Sequence, residues 1–265
     1  MKLDSDMRQA DVIALAREPL MRVDALGKRF GALVVLDDVN LTVRAGEVVA
    51  LLGAGGSGKS TLLRCIEHLD PPTSGRVRVG TVSIEAGHPP SPRELSTLRR
   101  TVGFVFRTPN LFPNLSVLRN VSLAQERVLG RGRDEAEVRG LALLARLGLD
   151  GLAQRAPSRC TAGEQQRIAI ARALALEPRL LLLDEPTAAL DPEPGLAVLD
   201  LLRDLAAEGL TMLVATHELA FAETACDRSV VMAEGRVVEQ GASRQVIRDP
   251  RTARARAFLH ALQNR

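Results

Sequence analysis

Short runs of continuous apolar residues alternate along this chain with segments of helical period. Residues 47–52, 101–106, 179–183 and 210–215 are nearly unbroken in Val, Leu, Ala and Phe. Runs of that length read as strands buried on both faces. Residues 21–26 alternate apolar with polar, and 28–31 and 34–43 continue as short strands with turns at Gly31 and Ala45-Gly46. Residues 76–79 read as an exposed edge strand after the turn at 71–75, and 229–232 with 236–239 read as a hairpin around Gly235. Helical spacing places Leu62, Ile66 and Leu69 on one helix and Val198, Leu201, Leu202 and Leu205 on another. A third face is marked by Val138, Leu141, Ala142 and Ala145, inside helical texture running from Leu111 to about Pro157. Residues 89–92 read as loop, 94–100 as a short helix and 250–265 as a short basic helix. Thr161 and Glu164 fit a capping box opening a helix to about Leu176. Residues 1–20 read as a loose extension, with Met21 a second candidate for the first residue. The pattern predicts an α/β core from residue 21 onward, a helical lobe at about 108–176 inserted between its strands, and a hairpin and helix at about 227–265.

Composition narrows the class. The 265 residues are 46% hydrophobic and 25% charged, as in soluble globular proteins, and suffice for one large domain or two closely joined lobes. Net charge is only +3 and nearly all of the 35 basic residues are arginine, so the balance gives no argument for nucleic acid. Cys65, Cys160 and Cys226 lack metal-type spacing and suit a reducing compartment. No stretch reaches the roughly 18 apolar residues of a membrane span, and no signal-peptide core opens the chain. Work at a membrane would need another subunit to supply the span.

The chemistry begins at Gly53-Ala54-Gly55-Gly56-Ser57-Gly58-Lys59-Ser60-Thr61, which is G-x-x-x-x-G-K-[ST] between a strand and a helix. Glycines let backbone N–H groups turn around a phosphate, and the helix that follows presents its positive end to the anion. Lys59 reaches the β/γ-phosphates and the Ser60 hydroxyl can ligate Mg²⁺. Two further polar clusters end apolar strands: Asp184-Glu185 and Thr216-His217-Glu218. In a parallel sheet, ligands sit at the carboxyl ends of strands, so the three clusters are expected to converge. Asp184 is placed to hold Mg²⁺, Glu185 to orient or deprotonate a water, and His217 to hydrogen-bond the γ-phosphate. Taken singly, each has a structural reading: a strand-end Asp caps, a lone His satisfies a core. Phe30 can stack on adenine; as an isolated aromatic it reads first as a core residue.

Four motifs carry a resemblance: GAGGSGKST at 53–61, TAGEQQR at 161–167, LLLLDEPTAALD at 180–191 and ATHE at 215–218. With them the chain resembles the ATP-binding subunit of an ABC transporter over residues 21–265. Gly103–Phe106, Asn110–Leu118, Ile168–Leu174 and Arg256-Ala257-Phe258-Leu259 make it most similar to the ATPases of polar amino acid importers. The resemblance implies a P-loop NTPase (RecA-like) core with an N-terminal antiparallel β subdomain and an inserted helical lobe. It implies ATP and Mg²⁺ as ligands and two subunits closing head to tail around two nucleotides. Phe30 then takes the adenine position, Gly53, Gly55, Gly56, Ser57, Gly58, Lys59, Ser60 and Thr61 the phosphates, and Asp184 the metal. Glu185 takes the base position, His217 the switch position and Asp191 the inter-subunit loop. Thr161 and Gly163 face the partner's nucleotide. Transmembrane permease subunits, and for an importer an extracytoplasmic binding protein, complete the assembly at the cytoplasmic face of the membrane.

Two motifs depart from the family. Gln usually follows the Phe-Val-Phe strand, where this chain has Arg107, which can only donate and cannot ligate a cation. We expect Arg107 to turn into solvent and leave the site short of a ligand; contact with the γ-phosphate is the alternative. The usual Leu-Ser-Gly-Gly-Gln reads Cys160-Thr161-Ala162-Gly163-Glu164. Ala162 would cost about 1–2 kcal/mol if its position is left-handed. Glu164 adds charge near an anion unless the capping box turns its carboxylate away. Ala54-Gly55 replaces Pro-Ser and is expected to be mild. The readings that compete are a transport ATPase, a weakly hydrolytic regulatory subunit, and an export or cell-division ATPase. DNA-repair and ribosomal relatives are disfavoured: the chain has no long heptad run and a single ATPase unit.

Overall fold

The computed structural model describes residues 19–263; the expectations for residues 1–18 lie outside them. In chain order the first half runs β1 (Met21–Phe30), β2 (Leu33–Val43), β3 (Val48–Leu52), α1 (Lys59–Ile66), β4 (Ser74–Val79), β5 (Val82–Glu85), α2 (Pro92–Thr101) and β6 (Val102–Val105). The second half runs α3 (Val117–Leu129), α4 (Arg133–Arg146), α5 (Ala162–Leu174), β7 (Leu180–Asp184), α6 (Pro192–Ala207), β8 (Thr211–Ala215), α7 (Leu219–Ala225), β9 (Arg228–Ala233), β10 (Arg236–Ala242), α8 (Ser243–Arg248) and α9 (Ala253–Gln263).

Two sheets result. An antiparallel sheet has order β2-β1-β4-β5, and a six-stranded sheet has order β10-β9-β3-β8-β7-β6. From β9 to β6 the second sheet is parallel, and β10 adds an antiparallel edge. Strands β3, β6, β7 and β8 are almost wholly apolar because both faces are covered, whereas the edge strand β10 carries Arg236, Glu239 and Gln240. On β3, Val49 and Leu51 enter a core shared with α1 and the antiparallel sheet, while Val48, Ala50 and Leu52 enter a second core with Val198 and Leu202 of α6 and Phe221 of α7. Each fully buried Leu contributes roughly 1.5–3 kcal/mol, and this alternation lets one short strand supply two cores. The helical lobe has its own core of Val117, Leu118, Val121, Leu144, Leu147 and Ile168. Helix α5 joins lobe to sheet: Ile168 and Ala171 face the lobe, and Ile170 faces the second core.

Four expectations change. The segment 76–79 is interior to its sheet, since β5 pairs along its far side after the Gly80-Thr81 turn. That turn is two residues long, so the hairpin is easily read as one strand and a loop. Helix α1 ends at Ile66, His68 adopts φ 57, and Leu69 is exposed rather than continuing the apolar face. On α4, Val138 and Leu141 are exposed, and Ala142 and Ala145 with them; the buried stripe is Ala136, Gly140 and Leu144. Small residues form it because α3 comes close: a Cβ at Gly140 would lie 2.9 Å from Leu118 Cδ1. Hydrophobicity alone cannot mark a face chosen for its lack of bulk. Phe30, read first as a core residue, is half exposed, with Lys28 Nζ 4.6 Å from its ring centroid.

Candidate functional site

The loop between β3 and α1 is shaped by backbone conformations that side chains resist. Gly58, the N-cap of α1, has φ 102, and a Cβ there would lie 2.8 Å from Leu36 Cδ2 and 3.0 Å from the Val35 carbonyl. Gly53 has φ 151, and its Cβ would meet the Met232 carbonyl at 2.4 Å. Gly55 has open space around it, with nothing within 4 Å of where a Cβ would lie. Lys59 is buried and donates to the carbonyls of Gly53 at 2.7 Å and Ala54 at 3.1 Å. Ser57 Oγ is buried in the same loop without a hydrogen-bond partner. An orphaned donor, a buried ammonium resting on neutral carbonyls and a helix N-terminus together fit a phosphate chain.

The strand ends converge on this loop as expected. Ser60 Oγ donates to Asp184 Oδ1 at 2.7 Å, joining α1 to the end of β7. Burial pushes the Asp184 carboxyl up, opposed by this hydrogen bond. Burial pushes the Lys59 ammonium down, opposed by Glu185. Glu185 sits at φ 46, its N–H bonded to the Ala215 carbonyl at 2.9 Å. A non-glycine residue held left-handed at a strand end is a local strain that the surrounding sheet must hold in place. His217, about half exposed, follows β8 and shares with Glu185 a cavity of about 410 Å³. Gly53, Ala54, Gly55, Arg107 and Ala188 line that cavity too. A second recess of about 190 Å³ is lined by Val35, residues 55–61, Arg107 and Glu185, so the two are contiguous. A larger groove of about 590 Å³ lies at the opposite, amino ends of β7 and β8, away from these clusters.

Arg107 does not turn away. Its Nη1 lies 3.6 Å from Glu185 Oε2, and Lys59 Nζ lies 3.6 Å from Glu185 Oε1. The carboxylate is thus flanked by two cations, which draws the tip of the long arginine toward the site while most of its side chain stays exposed. The signature segment is also corrected. Ala162 is the first residue of α5 and has no positive φ, so the left-handed penalty does not arise. The capping box forms: the Thr161 N–H donates to Glu164 Oε2 at 2.7 Å and the Glu164 N–H to Thr161 Oγ1 at 3.3 Å. Gly163 packs on α6, where a Cβ would lie 2.7 Å from Pro194 Cβ.

Thr161, Gly163, Asp191 and Phe30 line neither recess. Asp191 is exposed at the N-cap of α6 without a capping hydrogen bond. Sequence reasoning missed the wall formed by Phe258, Ala261 and Leu262 of α9, because a helix so distant in sequence gives no local sign of its contact. It also missed Gln166, buried on α5, which donates to the Phe106 carbonyl at 3.1 Å and fixes the root of Arg107.

The sequence matches the ABC transporter family over residues 36–188. The chain belongs to the ABC transporter family. As an ATP-binding subunit of that family it is 45% identical over 241 residues to the L-cystine transport system ATP-binding protein TcyN of Escherichia coli (strain K12), covering 90% of this chain and 96% of that protein. It is 42% identical to the glutamine transport ATP-binding protein GlnQ of Geobacillus stearothermophilus, covering 90% and 97%. Among solved structures, cbiO1 from Clostridium perfringens, part of the transporter complex cbiONQ, superposes with a TM-score of 0.77 at 33% identity, covering 88% of this chain and 92% of that one. The ATP-binding cassette MJ0796, a dimer bound to ADP and Pi in a post-hydrolysis state, gives 0.75 at 34%, covering 84% and 99%.

Proposed function

We propose that this ABC subunit is an ATP-hydrolysing motor that energises import of polar amino acids across a membrane. The observation that carries the reading is the convergence of the 53–61 loop, Asp184-Glu185 and His217 on one pair of contiguous recesses. The L-cystine, glutamine and glutamate/aspartate systems named for its relatives support the substrate class. Residues 21–265 form the ATP-binding domain, with Phe30 beside the adenine. The loop N–H groups, Ser57, Lys59 and Thr61 hold the phosphates. Ser60 and Asp184 would hold Mg²⁺, which supplies charge neutralisation to the phosphates. Glu185 accepts a proton from the attacking water, and His217 hydrogen-bonds the terminal phosphate. Each site is completed by Thr161, Gly163 and Asp191 of a second subunit, because in this chain they lie outside its own recesses. No helix among the described residues is long and apolar enough to cross a membrane. Permease subunits therefore supply the path, with the motor on the cytoplasmic face and an external binding protein delivering substrate.

A second reading, a weakly hydrolytic regulatory subunit, is favoured by one observation: Glu185 is held between Lys59 and Arg107. The test is ATP-driven uptake of cystine and glutamine by proteoliposomes containing the assembled transporter. Uptake lost with Lys59→Ala and with Glu185→Gln supports the motor. Uptake retained with Glu185→Gln refutes it.

A further inference from the structure

We infer that Arg107 senses the terminal phosphate of ATP, exchanging its ion pair with Glu185 for that phosphate and so discriminating ATP from ADP. The inference rests on the nucleotide-binding reading above. It begins with the unequal freedom of the two cations that flank Glu185. Lys59 is 5% exposed and anchored to the Gly53 and Ala54 carbonyls. Arg107 has a side chain 61% exposed, and its contact with Glu185, at 3.6 Å, is longer than a hydrogen bond. Its root is fixed, since the carbonyl before it accepts from buried Gln166. Its tip is free to move, and it lines both recesses, the one around residues 55–61 and the one shared by Glu185 and His217.

Glu185 offers this guanidinium one negative charge. The terminal phosphate offers nearly two, with three acceptor oxygens whose geometry matches the planar fork. An exposed ion pair is weak, so the phosphate wins the exchange. ADP brings no terminal phosphate, and Arg107 then stays on Glu185. The exchange has a second consequence. Glu185 is released from Arg107, still placed by its φ of 46 and its backbone bond to Ala215, only when ATP is bound. Arg107 therefore acts as a cation toward the nucleotide, a part that glutamine, with no charge, does not play.

The experiment is calorimetric titration of the purified chain with ADP and with the non-hydrolysable β,γ-imido analogue of ATP, in Mg²⁺ and again in EDTA. Arg107→Gln is expected to weaken the imido analogue about tenfold, to leave ADP within about twofold, and to leave the thermal midpoint unchanged. Arg107→Lys is expected to recover much of the loss. The loss should persist in EDTA, because the contact is to phosphate and not through the metal. Equal effects on both nucleotides, no effect on either, or a loss seen only with Mg²⁺ would each overturn the inference. Lys59→Ala is the control for the parent reading. If that variant binds both nucleotides as well as the unmodified chain does, the phosphate-loop assignment fails instead.

Discussion

At the scale of single residues, the chemistry is set by what burial and charge allow each group to do. Arg107, Lys59 and Glu185 show this in the site, and Glu67 shows it away from the site. Glu67 caps the C-terminus of α1, is 6% exposed, and has an Oε2 with no hydrogen-bond partner. Burial pushes its carboxyl up to about 8, opposed by the charge of Arg99. The folded value lies above the unfolded one, so the native state keeps a proton that the unfolded chain releases. The stability this contributes is present in full below about pH 4.5 and is lost as pH rises toward about 8. Glu67→Gln removes the titration. In urea unfolding, the stability of Glu67→Gln relative to the unmodified chain should therefore rise between pH 5 and pH 8.5 by a few kcal/mol. A difference that stays constant across that range would show that Glu67 does not keep its proton.

At the scale of elements, the start of α5 is where sequence logic and structure agree most closely. A Thr and a Glu three residues apart announce a capping box, and both of its hydrogen bonds form. The box also answers what the unusual signature does: the Glu164 carboxylate is spent on the Thr161 N–H, yet its charge remains at the helix start. Thr161→Ala should cost about 1 kcal/mol of stability. Glu164→Gln keeps an acceptor for the same N–H and removes the charge. It should leave thermal unfolding nearly unchanged while lowering the ATP concentration needed for dimers, read by size-exclusion chromatography in a Glu185→Gln background. An unchanged ATP requirement would place Glu164 away from the partner's nucleotide. Other elements were less legible for a common reason. The strands of the parallel sheet were plain because both faces are apolar, and the glycine loop because strand, loop and helix fall in order. The buried stripe of α4 was misread because Gly140 and Ala136 are buried for being small. The α9 wall and the Arg107–Glu185 pair depend on contacts between segments far apart in the chain, 41 residues from His217 to Phe258 and 78 from Arg107 to Glu185, which no local pattern encodes.

At the scale of the whole molecule, the nucleotide site, on the proposed reading, falls into two halves that the chain keeps apart. One half gathers the phosphate loop, Asp184, Glu185, His217 and Arg107 at the carboxyl ends of the parallel strands. The other half, Thr161 and Gly163 at the start of α5, is held on α6 by the Gly163–Pro194 contact and lines neither recess. The lobe that carries α5 has its own core and is held to the rest of the chain by Ile170 of that helix, by Leu201 of α6 packed on the lobe core and by the Arg146–Glu208 ion pair, so it cannot fold back onto its own phosphate loop without breaking these contacts. On that reading, completion comes from a second copy or a related subunit. Hydrolysis by the purified chain should then be second order at low concentration, with turnover per subunit rising in proportion to subunit concentration and levelling off once dimers predominate. Titrating the chain from nanomolar to tens of micromolar at saturating ATP and Mg²⁺ measures this directly. Adding excess Lys59→Ala chain, whose α5 is intact, should raise turnover of a dilute active chain by supplying the missing half. Turnover per subunit that is flat across the range, and indifferent to the added variant, would mean that one chain completes its own site.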